Sequence, residues 1–151
     1  MEELPPYRLH ESLGYQLSLT ARSLERRMDE NLRTLGLTRI TWCVLLAVGN
    51  EGLTRPSDIA AFIGIDRTAT SRALRLMEAA GMVARACGAN DRRTTQVRLT
   101  DKGRSLLARA TPFAVHNAAL LAERLSEEER AQLRRLLRKA RADDALPLSK
   151  L

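Results

Sequence analysis

Between Asn90 and Gly103 the sequence reads NDRRTTQVRLTDKG, which sets Asp91 directly before two guanidinium side chains, Arg92 and Arg93. Upstream, the run RTATSRALR offers Arg67, Thr68, Thr70, Ser71, Arg72 and Arg75. These groups are fixed positive charges and hydroxyl donors, with no acid–base pair or activated nucleophile among them. Arginine can bond a guanine edge in bidentate fashion, and Ser and Thr hydroxyls reach base edges or phosphate oxygens. A narrow, A·T-rich minor groove focuses negative potential, so one extended cation fits there. Asp91, two residues before Arg93, can hold that guanidinium through a bidentate pair. Two alternatives stay open: the Asp91–Arg93 pair only stabilises a turn, or Arg92 is the inserted residue.

The charge distribution points the same way. Of a formal +7, most falls between Asp66 and Arg104, where nine cations face four anions. Such concentration favours contact with a polyanion over general solubility. No apolar run approaches the roughly 18 residues a membrane span needs, and MEELPPYRLHES lacks a secretory signal, so a cytoplasmic protein without a membrane partner is expected. His10 and His116 are far apart, and HExxH, GxGxxG and GxxxxGK[ST] are all missing. The expectation is therefore no enzyme, no cofactor and no metal site. Cys43 and Cys87 lack metal-ligand spacing. Cys43, in TWCVLL, reads as a small buried hydrophobe, whereas Cys87 lies near Arg85, Arg92 and Arg93, where a lowered pKa would make a thiol reactive.

The elements that must position these groups follow from periodicity. Leu13, Leu17, Ala21, Leu24, Met28, Leu32 and Leu35 recur at steps of three and four, the mark of one helical face, and Gly36 ends that helix. Thr38 caps a second helix, apolar all round from Trp42 to Val48. Thr54 offers the next cap, with Pro56 in the first turn, and Gly64 closes this short helix. Asp66 caps RTATSRALRLMEAAG, which ends at Gly81. Two short helices about a tight glycine turn form a helix-turn-helix signal. In the second of them Thr70, Ala73, Leu74 and Met77 make a core face, leaving Thr68, Ser71, Arg72 and Arg75 outward. MVARAC and TTQVRLT then alternate around GAND as a hairpin with Asp91, Arg92 and Arg93 at its tip. Thr100 begins a long helix that Pro112 should kink, or restart with Thr111 as cap. Ser126 starts the last, with Glu127, Glu128 and Glu129 at its positive end and Arg138, Lys139 and Arg141 at its negative end.

The fold class expected is mainly α with a small β hairpin: a winged helix-turn-helix over 38–103, plus a helical dimerisation region from both termini, 1–37 and 104–151. The first helix and the last two carry more apolar surface than one small domain needs. Isologous pairing would bury the surplus and set two reading helices about 34 Å apart, one DNA turn.

NDRRTTQVRLTDKG resembles the wing signature of the multiple antibiotic resistance regulator (MarR) family of bacterial transcription factors: aspartate, any residue, arginine, then a strand ending in Leu-Thr-x-x-Gly. TWCVLLAV, PSDIAAFIGIDRTATSRALRLMEAAGMV and RLSEEERAQLRRLLRKA support the likeness, which spans about 11–141. The chain departs from the family at GAND, where Asp-Pro often precedes the wing aspartate. The resemblance implies an obligate homodimer on double-stranded DNA bearing a palindromic operator. It places Thr68, Thr70, Ser71, Arg72 and Arg75 on the recognition helix and Asp91 and Arg93 on the wing. It also implies a repressor released by a small aromatic or lipophilic effector, or by thiol oxidation, at the junction of the dimer and DNA-binding regions. Tyr15, Leu19, Trp42, Leu46 and Phe113 are the candidates for an effector pocket. Two other readings of the function are a winged-helix module that docks a protein, and an architectural DNA binder without an effector.

Overall fold

A computed structural model describes residues 5–87 and 95–141. After a 3-10 turn at Leu9–Glu11, helix α1 (Leu13–Thr34) starts where Ser12 Oγ accepts from the Tyr15 N–H. Of its apolar stripe, only Met28 and Leu32 are buried. Gly36 takes φ +69°, the left-handed turn that lets the Leu37 N–H donate back to the Leu32 carbonyl. Helix α2 (Arg39–Gly49) opens with a capping box between Thr38 and Thr41 and buries Trp42, Val44, Leu45 and Ala47. Arg39 clamps it to α1, with Nη1 2.5 Å from Glu25 and Nε 3.0 Å from Asp29.

Helix α3 (Pro56–Ile63) departs from expectation at its start. Pro56 occupies the first helical position, so the cap is Arg55, which makes no side-chain capping bond. Thr54 instead lies one residue upstream, its carbonyl accepting from the Val97 N–H at 2.8 Å. Gly64, at φ +80°, turns the chain into α4 (Arg67–Ala79), capped by the Asp66 carboxylate on the Ala69 N–H at 2.6 Å.

Strands β1 (Val83–Cys87) and β2 (Thr95–Leu99) pair antiparallel, with Val83 opposite Leu99 and Cys87 opposite Thr95. Helix α5 (Asp101–Ala122) then runs unbroken through Pro112, contrary to a restart there. A proline withdraws one N–H from the helix, and the Thr111 hydroxyl bonds the Leu107 carbonyl at 2.8 Å instead of capping a new segment. Helix α6 (Glu127–Arg141) starts on reciprocal bonds between Ser126 and Glu129.

The core lies where α1, α2, α3, α4, the hairpin and α5 meet, around Leu32, Leu45, Ile59, Leu74, Met77 and Val97. Helix α6 takes no part and buries no residue. No single helix among the described residues is long and apolar enough to cross a membrane.

Candidate nucleic-acid interface

Helix α4 has a buried back and a polar front, because its apolar residues recur with the helical period. Ala73, Leu74 and Met77 enter the core. Arg67, Thr68, Ser71, Arg72 and Arg75 stand exposed. Thr70 does not belong with them: it is 1% exposed, and its hydroxyl donates to the Asp66 carbonyl at 2.9 Å. Its position on the inward face overrides its chemical type, so Thr70 supports the cap of α4 and has no path to a DNA edge.

The nine cations of the basic stretch fall into distinct groups. Arg85, on β1, forms an ion pair with Glu78 of α4, donating from Nε at 2.8 Å and also from Nη2. That bond holds the Glu78 carboxyl below its ordinary value. Arg104 Nη2 lies 2.5 Å from Asp101, and Lys102 donates to the Ala80 carbonyl at the end of α4, 2.7 Å away. Arg85 and Lys102 fasten the hairpin and α5 to the reading helix, while Arg104 pairs within α5 and donates to the Leu99 carbonyl at the end of β2. Arg67, Arg72, Arg75 and Arg98 have no carboxylate partner among the described residues, leaving their charge available to phosphate. Asp91, Arg92 and Arg93 lie outside the described residues.

The base of the hairpin is set closely against α5. Thr100 caps α5 through the Gly103 N–H, while its hydroxyl donates to the Gly81 carbonyl at 2.6 Å. At Gly103 a Cβ would collide with the Met82 carbonyl oxygen, so only glycine allows this approach.

The five proposed effector residues line no common cavity among those of the described residues. Trp42 is in the core, with Leu46 and Phe113 packed against it. Tyr15 lies edge-on to His10, with ring centroids 5.3 Å apart, and Leu19 is exposed. A groove of about 680 Å³ opens elsewhere, between the end of α2, β2 and the first half of α5, and none of the five lines it. Sequence reasoning missed it because Val48, Leu99 and Leu107 each read as one more residue of an apolar stripe. Only the fold brings them together. Cys43 is half-buried, and burial pushes its thiol up against the opposing pull of Arg39. Cys87 is exposed at the end of β1.

A model of the MarR family matches residues 35–94. Among solved structures, the chain is similar to Bordetella bronchiseptica BpsR at 26% identity and a TM-score of 0.83, covering 93% of this chain and 100% of that one. BpsR is a protein whose DNA binding is regulated by 6-hydroxynicotinic acid. The transcriptional repressor CouR, bound to a 23-mer DNA duplex, matches at 30% identity with a TM-score of 0.77, over 92% of this chain and 99% of CouR. A mutant of MarR from E. coli, complexed with operator DNA, matches at 25% identity and a TM-score of 0.76, over 85% of this chain and 92% of that one.

Proposed function

The chain belongs to the MarR family, and on that footing we propose that it is a homodimeric, cytoplasmic transcriptional repressor that reads a palindromic operator and is released by a small organic effector. The observation that carries this reading is the face of α4: four exposed donors, Thr68, Ser71, Arg72 and Arg75, on a helix whose opposite side is locked in the core. A rigid helix of this kind presents side chains to base edges in the major groove. Arg67 and Arg98 supply phosphate contacts, and the minor groove is assigned to Arg93, held by Asp91, with Arg92 as the alternative inserted cation. Similar structures hold operator DNA or are regulated by 6-hydroxynicotinic acid, and both kinds of partner are assigned here by analogy.

Residues 38–103 form the reading domain in this scheme, and 1–37 with 104–151 the dimerisation region. Leu13, Leu17, Val115, Leu136 and Leu137 are exposed apolar side chains on α1, α5 and α6. A second copy would cover them, which also satisfies the two-fold symmetry of a palindrome.

Selection of bound sequences from random duplex DNA tests the proposal. A palindrome with half-sites about one helical turn apart is expected, and recovery of no preferred sequence would overturn it. Exposed Phe62 and Leu76, on α3 and α4, favour a second reading in which this face docks a protein. Salt separates the two, since phosphate binding weakens steeply with ionic strength and an apolar interface does not.

A further inference from the structure

Beyond its first turn, α6 is charged with one sign only. Glu127, Glu128 and Glu129 fill that turn, and from Arg130 to Arg141 the sequence carries six cations and no anion. Arg130 is half-buried, with Nη1 donating to the Ala122 carbonyl at 3.2 Å, which ties the helix to the end of α5. The other five, Arg134, Arg135, Arg138, Lys139 and Arg141, are exposed and have no carboxylate partner among the described residues. Asp143 and Asp144, the next acids along the sequence, lie outside those residues.

The helix itself gains little from this arrangement. Cations in the last turn suit the negative end of the macrodipole, which accounts for Arg138, Lys139 and Arg141. Arg134 and Arg135 stand further in, where Arg134 has Arg130 and Arg138 as neighbours and Arg135 has Lys139, at the four-residue spacing that makes like charges repel. A polyanion laid along the helix turns that repulsion into attraction. At 3.6 residues per turn Leu133, Leu136, Leu137 and Ala140 share one side of α6, and Arg134, Arg135 and Arg138 share the other.

Position separates this face from the reading helix. Ala118, Leu121 and Ala122 of α5 line a shallow groove with Leu133 and Leu137 of α6, whereas Lys102, at the start of α5, bonds the end of α4. The stretch of α5 from Lys102 to Ala118 is about 24 Å long, and the core lies on the inner side of α4. A duplex seated on the outer face of α4 therefore leaves the α6 cations unused.

We propose that the outer face of α6 holds a second DNA duplex by its phosphates, so that one protein bridges two DNA segments. Four of the five exposed cations are arginines, whose planar forks pair with phosphate oxygens in bidentate fashion. A duplex fits better than an anionic lipid surface, because an interfacial helix buries its apolar side in the membrane and that side of α6 is assigned to a second copy. The contact reads no sequence, since it reaches phosphates and not base edges. Bridging rests on the reading of α4 as an operator-binding face; the phosphate contact on α6 does not.

The test uses the full-length protein on bead-bound selected operator, washed free of unbound protein, with a short fluorescent duplex of unrelated sequence as the second partner. The parent is expected to retain this duplex at low salt and to release it steeply as salt rises. Arg135→Gln/Arg138→Gln/Lys139→Gln should lower that retention at least about tenfold, with operator affinity, dimer and helical circular dichroism unchanged, since glutamine is as good a helix former as the residues it replaces. Arg135→Lys/Arg138→Lys should keep most of it. No retention by the parent, or equal retention by the glutamine variant, would overturn the proposal. So would retention lost together with the dimer, which would assign this face to the second copy. Phosphatidylserine-containing vesicles that sediment with the parent and not with the glutamine variant, in the absence of duplex retention, would assign it to a lipid surface instead. A second arm titrates the unrelated duplex alone into Arg72→Ala/Arg75→Ala, with and without the α6 substitutions. Binding that survives the α4 changes and disappears with the α6 changes keeps the phosphate contact even if no operator is ever selected, which removes only the operator reading. Binding indifferent to the α6 changes would overturn the contact itself.

Discussion

Arg72 and Arg75 stand on the outer face of α4 without carboxylate partners among the described residues, so truncating either removes donors and leaves the core alone. Arg75→Ala, and equally Arg93→Ala at the hairpin, are each expected to weaken operator binding by about 1–3 kcal/mol, measured by fluorescence anisotropy, with the dimer intact by sedimentation. Unchanged affinity in both would remove their assigned roles. Thr70→Val should behave in the opposite way, costing about 1 kcal/mol in a urea titration through the lost bond to Asp66 while leaving sequence preference unchanged. Glu78 provides a pH test. Its carboxyl titrates below its ordinary 4.5 when folded, so the Arg85 bond stabilises the protein above that value and the benefit disappears as pH falls through the lowered folded value. Glu78→Gln should therefore be less stable than the parent near neutrality and converge with it in acid, as read from urea midpoints across the pH range. A constant difference at every pH would refute that linkage. The face of α4 was legible because a 3.6-residue period sorts inward from outward positions. The pairing of Arg85 was not, since it joins a strand to a helix across a turn.

At the level of elements, local chemistry was a good guide wherever the capping side chain sat directly before the helix. Thr38, Asp66 and Ser126 do so, and each makes its expected bond. Thr54 failed because Pro56 already occupies the first turn, which makes Arg55 the boundary and frees the Thr54 carbonyl to pair with β2. The continuity of α5 through Pro112 was also hidden, since a proline's cost is local and the rest of a long helix can outweigh it. Pro112 is exposed, so Pro112→Ala should restore one helical bond and raise stability by up to about 3 kcal/mol, visible as a higher melting temperature. A lower melting temperature would mean that the proline ring makes a stabilising contact outweighing the lost bond. Gly103→Ala should cost about 1–3 kcal/mol, because the new methyl meets the Met82 carbonyl and must push α5 off the hairpin base. Operator affinity should drop with it, since that same contact sets where the hairpin stands relative to α4.

Taken as a whole molecule, one chain leaves much apolar surface in water. Leu13 is 80% exposed and Val115 63%, and the two sit on helices drawn from opposite halves of the sequence. Replacing Leu13 and Leu17 with glutamate is expected to give a monomer in sedimentation that keeps the helical circular dichroism of the core and loses operator binding, because a lone half-site contact lacks the second subunit's contribution. A variant that stays dimeric would move the interface elsewhere. Surplus apolar stripes could be read from the sequence, whereas the groove could not, since its walls come from distant segments. Helix α6 carries this incompleteness furthest, with all its residues at least partly in water within its own chain. A lone helix of that length is marginal in water, so its ordering obeys mass action. Limited proteolysis should therefore cut this helix faster in dilute protein than in concentrated protein.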